Sequence, residues 1–197
     1  MPADPATATT LRQVVRVTAG GRQLRIRLPN APGAPPPRVA GGHVGLSAAP
    51  GSTAIRPGSD RPVLFPGAVA ATVPAGADYR SDPVAVPVVA GDSLAVSKRL
   101  AVPDAPQTIH SASHATSFIA AGDRLSAPDL PGAARVEHWG GLSGVDVARD
   151  RPRLGIVAFG DSITDGSWST TDGNGRWPEI SSRTSCARTG TARSWRR

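Results

Sequence analysis

Glycine and proline punctuate this chain at close intervals, and they limit the length of any element that can form between them. With 22 glycines and 20 prolines in 197 residues, long helices are disfavoured, because proline breaks the helical ladder and glycine raises its entropic cost. The apolar residues fall into short runs instead. Leu24, Ile26 and Leu28 alternate with Gln23, Arg25 and Arg27, the period-2 pattern of a half-buried strand. Residues 11–17 are rich in β-formers, and Ala19-Gly20-Gly21 predicts a hairpin joining the two. Further strands are expected at 39–46, 69–73, 84–89, 94–97, 116–120 and 136–139. Turn clusters such as Pro57-Gly58-Ser59-Asp60 and Ala90-Gly91-Asp92 separate them. This spacing predicts a mostly β chain, with an antiparallel β-sandwich or jelly-roll-like module over 11–147. A loose N-terminus is expected at 1–10.

A second kind of pattern begins near residue 151. Ile156-Val157-Ala158-Phe159 is a continuous apolar run, expected as a strand buried on both faces. It stops at Gly160, and Asp161, Ser162 and Thr164 follow, all able to accept hydrogen bonds from free N–H groups at a helix start. Open α/β sheets place their ligand chemistry at the carboxyl ends of buried strands. Ser162 is therefore the candidate nucleophile.

The run Gly160-Asp161-Ser162-Ile163-Thr164-Asp165-Gly166 resembles the first signature block of the GDSL, or SGNH, hydrolases. Arg176-Trp177-Pro178 looks like the opening of that family's first helix. The β-rich segment is similar to the domain that precedes the catalytic block in one branch of the family. The pieces that match are Thr10-Leu-Arg-Gln-Val-Val-Arg-Val17, Pro57-Gly-Ser-Asp-Arg-Pro62 and Leu142-Ser-Gly-Val-Asp-Val147. The resemblance implies that residues 151–180 begin an incomplete α/β, flavodoxin-like catalytic domain. It implies a serine esterase or lipase that hydrolyses small-molecule, lipid or carbohydrate esters through a seryl intermediate, with no cofactor and no metal. Ser162 would be the nucleophile and a backbone oxyanion donor, and Asp161 would shape the turn. The Gly-x-Ser-x-Gly elbow of lipase-type α/β-hydrolases is absent.

The chain also departs from the family pattern. Lys98-Arg99 interrupts a β-run where related sequences are apolar or aromatic, and Gly140-Gly141 follows Trp139 where bulky residues are usual. Trp168 stands where a small residue is usual. The family draws its general base from an Asp-x-x-His block far downstream, yet no histidine follows Ser162. His43, His110, His114 and His138 all fall in the β segment. His110 and His114 have a metal-ligand spacing on a helix, but the surrounding Ser111, Ser113, Thr116 and Ser117 favour turn or strand. His138 reads as an ordinary strand residue. No triad emerges, so the expected reading is an esterase fragment with little or no activity as given.

Residues 181–197 change character again. Five arginines and no acid occur there, supplying most of the net charge of +7, so the charge does not argue for a nucleic-acid partner. GC-rich codons for this stretch, shifted by two bases, can encode Leu-Ala-Asp-Glu-Leu-Arg-Thr-Asp-Gly, an amphipathic helix. The tail is accordingly expected to be out-of-frame translation. Cys186 is the single cysteine, which precludes an intramolecular disulfide. No apolar run reaches membrane-spanning length. The first ten residues show no export signal, which as written places the chain in the cytoplasm, although members of the family are often exported. The alternative function is a carbohydrate- or surface-binding β-sandwich, but Trp139 is the only tryptophan in the module.

Overall fold

The computed structural model describes residues 8–100, 107–149 and 157–181. Among the described residues, twelve strands and a short helix precede a further helical stretch at 177–181: β1 (Thr9–Arg16), β2 (Gln23–Pro29), β3 (Arg38–Leu46), β4 (Arg61–Val63), β5 (Ala71–Thr72), β6 (Asp78–Arg80), β7 (Ser93–Leu100), β8 (Ile109–His110), β9 (Ser117–Ala121), β10 (Ala134–Val136), β11 (Trp139–Gly140), β12 (Gly144–Ala148) and α1 (Ser162–Asp165). The protein is mostly β, and its sheets are antiparallel. Seven strands form one sheet in the order β10-β9-β1-β7-β3-β4, with β5 also on β3. β12-β2-β6 form a second sheet, and β11-β8 a two-stranded ribbon.

The main core draws on both larger sheets. Leu24, Ile26 and Leu28 from β2 meet Val39, Val44, Val63, Leu94 and Val96 from the seven-stranded sheet. The opposite face of β1 and β9 is also covered, with Val14 and Phe118 packed against Leu130. Alternation along a strand sends neighbouring side chains to opposite faces, so both sets of β1 residues are buried.

The alternation of residues 23–28 is realised in β2, and 11–17, 39–46 and 94–97 fall on β1, β3 and β7. The hairpin expected at Ala19-Gly20-Gly21 does not form. β1 pairs with β7 and β9, whereas β2 pairs with β12 and β6. The connection leaves one sheet for the other, and Gly21 exchanges backbone hydrogen bonds of 2.9 Å with Val88 instead. Residues 84–89 keep the expected alternation, with Val84, Val86 and Val88 buried, but they join no ladder beyond isolated bridges to Leu24 and Gly21. Pro83 and Pro87 have no N–H to donate, which confines such a segment to a sheet margin.

The expected buried strand at 156–159 is corrected. Residues 157–160 carry no strand, and Val157 and Phe159 are 91% and 100% exposed. Every strand among the described residues pairs elsewhere, so this run has no ladder to join and no second layer to bury it. Residue 156, the domain boundary placed at 151, most of the N-terminal stretch 1–10 and all but the first residue of the tail 181–197 lie outside the described residues.

Candidate functional site

Helix α1 owes its start to Asp161. This residue is extended (φ −92°, ψ −159°) and its carboxylate accepts the Ile163 N–H at 3.0 Å, one of the donors that a helix start leaves unpaired. The turn closes at Gly166, in the left-handed conformation at φ 103°, whose N–H donates to the Ser162 and Ile163 carbonyls. The Ser167 N–H donates to the Ser162 carbonyl at 2.8 Å. Ser162 thus occupies the first helical position, with an exposed side chain and an N–H that has no intrahelical acceptor.

Polar contacts tie the segment to the β strands. Asp165, the last residue of α1, places Oδ1 2.8 Å from His110 Nε2. Arg176 donates from Nε to the Asp165 carbonyl at 2.7 Å and from Nη2 to the Ser113 carbonyl. Asp172 accepts the Thr116 N–H at 2.7 Å and the Thr116 hydroxyl at 2.6 Å, while its own N–H donates to the His114 carbonyl at 2.9 Å. The Trp177 indole donates to Thr164 Oγ1 at 3.3 Å. Residues 177–181 are helical, in keeping with the helix opening expected at Arg176-Trp177-Pro178.

Trp168, the bulky residue after the nucleophile turn, is fully exposed at φ 69°. A bulky side chain in the left-handed region costs about 1 kcal/mol or more.

The histidines do not converge. His43 Nδ1 lies 2.7 Å from Asp60 Oδ2. His110 sits on β8 facing Asp165, whereas His114 adopts φ 47° in the following turn. His138 lies in the bend between β10 and β11 rather than in a strand, and its carbonyl accepts from Ser117 Oγ at 2.9 Å. Among the described residues, no group of three or more His, Cys, Asp or Glu side chains is placed to hold a metal ion. Nor is any helix among them long and apolar enough to cross a membrane. Trp139 donates its indole N–H to the Val14 carbonyl at 3.3 Å and packs against the His110 ring at 5.7 Å.

The ribbon that presents His110 is itself anchored from below. Lys98, on β7, is 3% exposed, and its ammonium donates to the carbonyls of Gly140 and Gly141 and to Gln107 Oε1. The Gln13 amide, oriented to satisfy both groups, exchanges two hydrogen bonds with the Gly140 backbone. Burial pushes the Lys98 ammonium down to about 7, because desolvation disfavours its charged form. Gly141 lies at φ 54°, and a Cβ there would come within 2.5 Å of Lys98 Nζ. Lys98 and the Gly140-Gly141 backbone therefore meet in one contact.

Asp165, Asp172, Thr116 and Arg176 were not singled out by sequence reasoning. Asp165 and Arg176 lie inside the two quoted motifs, so an accounting of polar residues there was the available signal. Thr116 and Asp172 meet across 56 residues and carry no local pattern. Compared with known proteins, the chain matches no family model and no curated protein.

Proposed function

We propose that this chain carries the nucleophile block of a GDSL/SGNH-type serine ester hydrolase, joined to an antiparallel β-sandwich or jelly-roll-like module. The observation that supports the reading most is the Asp161-capped turn that opens at Ser162. It sets an exposed hydroxyl and an unpaired N–H at the same residue. Ser162 Oγ would attack the ester carbonyl carbon and expel the alcohol, and water would then release the acyl group. The Ser162 N–H would donate to the developing oxyanion, a contact that strengthens as charge builds.

A serine hydroxyl needs a base to take its proton. His110 Nε2 is committed to Asp165, and no histidine follows Ser162. Turnover of a short-chain ester by the 197-residue chain is therefore expected to stay within about tenfold of the Ser162→Ala background, since both proteins keep the backbone N–H at 162 and no base takes the serine proton. Robust hydrolysis abolished by Ser162→Ala would overturn the low-activity expectation. A fluorophosphonate should still phosphonylate Ser162 slowly, with roughly tenfold preference over exposed serines such as Ser111, because the Ser162 N–H opens a helix and has no intrahelical acceptor. Equal labelling of both, read by peptide mass spectrometry, would sink the nucleophile assignment.

A further inference from the structure

We propose that His110 is a positioning residue for the Ser162 turn, so that the β8–β11 ribbon forms part of the esterase site rather than a separate appendage. The inference rests on the nucleophile reading given above. Ser162 and Asp165 are three residues apart on α1, and side chains at that spacing share a helix face. The residue that holds Asp165 therefore borders the face that carries Ser162.

Apolar packing does not set the position of this turn. No residue of α1 is buried, and Val157, Phe159, Ile163, Trp168, Trp177 and Ile180 are all exposed. None of the described residues from 157 to 181 enters either hydrophobic cluster. Orientation must then come from directional polar contacts, which fix both distance and angle. His110, Ser113 and Thr116, all within one turn-and-strand stretch, meet Asp165, Arg176 and Asp172 respectively. Of these three, only the His110 contact reaches α1 through a side chain of α1.

His110 is itself well held. β8 pairs with β11, setting His110 opposite Trp139, and Trp139 is tied to Val14 of the central strand β1. With its proton on Nε2, His110 donates to the Asp165 carboxylate and passes the placement of the large sheet to the nucleophile turn. The side chains are 38% and 42% exposed, so the contact is modest in energy, in keeping with an orienting role.

Amide hydrogen exchange on the full chain tests this without requiring turnover. The Gly166 and Ser167 N–H groups both donate to the Ser162 carbonyl and report the closed turn. His110→Ala is expected to raise their exchange about fivefold. Asp165→Ala should do the same, and the double variant should add nothing further. His110→Gln, which keeps a donor near the Nε2 position, should restore protection to within about twofold. The Val14 amide in the central strand should not respond. Unchanged exchange in His110→Ala, additive effects in the double variant, or failure of His110→Gln to rescue would each overturn the proposal. Phosphonate labelling separates the two readings. If the exchange pattern holds but Ser162 shows no preferential labelling, the grip stands and the esterase reading falls. If labelling is preferential but insensitive to His110→Ala, positioning by His110 is refuted.

Discussion

Replacing Arg12 by alanine is expected to destabilise the protein by about 2–5 kcal/mol, the range for truncating a large buried side chain, here with neutral acceptors left unpaired. Arg12 lies in β1, the third strand of the large sheet, and is fully buried. Its Nε donates to Ser97 Oγ at 2.8 Å, Nη1 to the Thr53 carbonyl at 2.6 Å and Nη2 to the Ala127 carbonyl at 2.7 Å. One side chain thus fastens two loops to the outer face of the sheet. Desolvation lowers the pKa of the guanidinium, and the charges of Asp60 and Asp129 oppose that shift. Alanine would leave a cavity and two carbonyls without their donor. Lysine should rescue only part of the loss, since a single ammonium cannot reproduce the planar fork. Urea denaturation with unchanged m-value would report the difference as a shift in midpoint. A loss under about 1 kcal/mol for Arg12→Ala would contradict the network.

Stability should also rise as pH increases from 7 to 9, by about 2 kcal/mol, through Lys98. In the unfolded chain this lysine titrates at its ordinary value near 10.5, and in the fold at about 7. Between those values the unfolded state binds more protons than the native state, so raising the pH favours folding. Below about 7 both states are protonated and the desolvation cost is present in full. Lys98→Met should flatten the profile and stabilise the protein most at low pH, because methionine fills much of the same volume without a charge to desolvate. The three oxygens that accept from Nζ would lose their donor, which limits that gain. Denaturant midpoints at pH 6.5, 8 and 9 in the two proteins decide the matter. Parallel profiles would exclude Lys98 as the titrating group.

Local patterning conveyed most strands but not their partners. Leu24, Ile26 and Leu28 revealed β2 by alternation, yet the assignment of β2 to β12 and β6 depends on residues 49 or more positions away. The glycines after β1 looked like hairpin residues because turn chemistry is local, while the choice of sheet is made by burial. β6 and β8, three and two residues long, are too short to show a period. At the candidate site, Asp161 was readable as a cap because capping acts over two residues. The meeting of His110 with Asp165 was not, because it joins a two-residue strand to a four-residue helix across 55 positions. Lys98 and Gly141 were legible only as two unrelated irregularities. A charge in a core strand and a glycine in the left-handed conformation are each irregular alone, and together they satisfy one another.

The placement of β1 has a consequence for synthesis. The first strand among the described residues lies between β7 and β9, with Thr9 beside Leu100 on one side and Ala121 on the other. A ribosome adding roughly 5–20 residues per second leaves β1 without its second neighbour for roughly 5–20 seconds after it is made. Until β7 emerges both edges of β1 are bare, and until β9 emerges one remains open to other nascent chains or to chaperones. Closure must then bridge over a hundred residues, a topology that folds slowly.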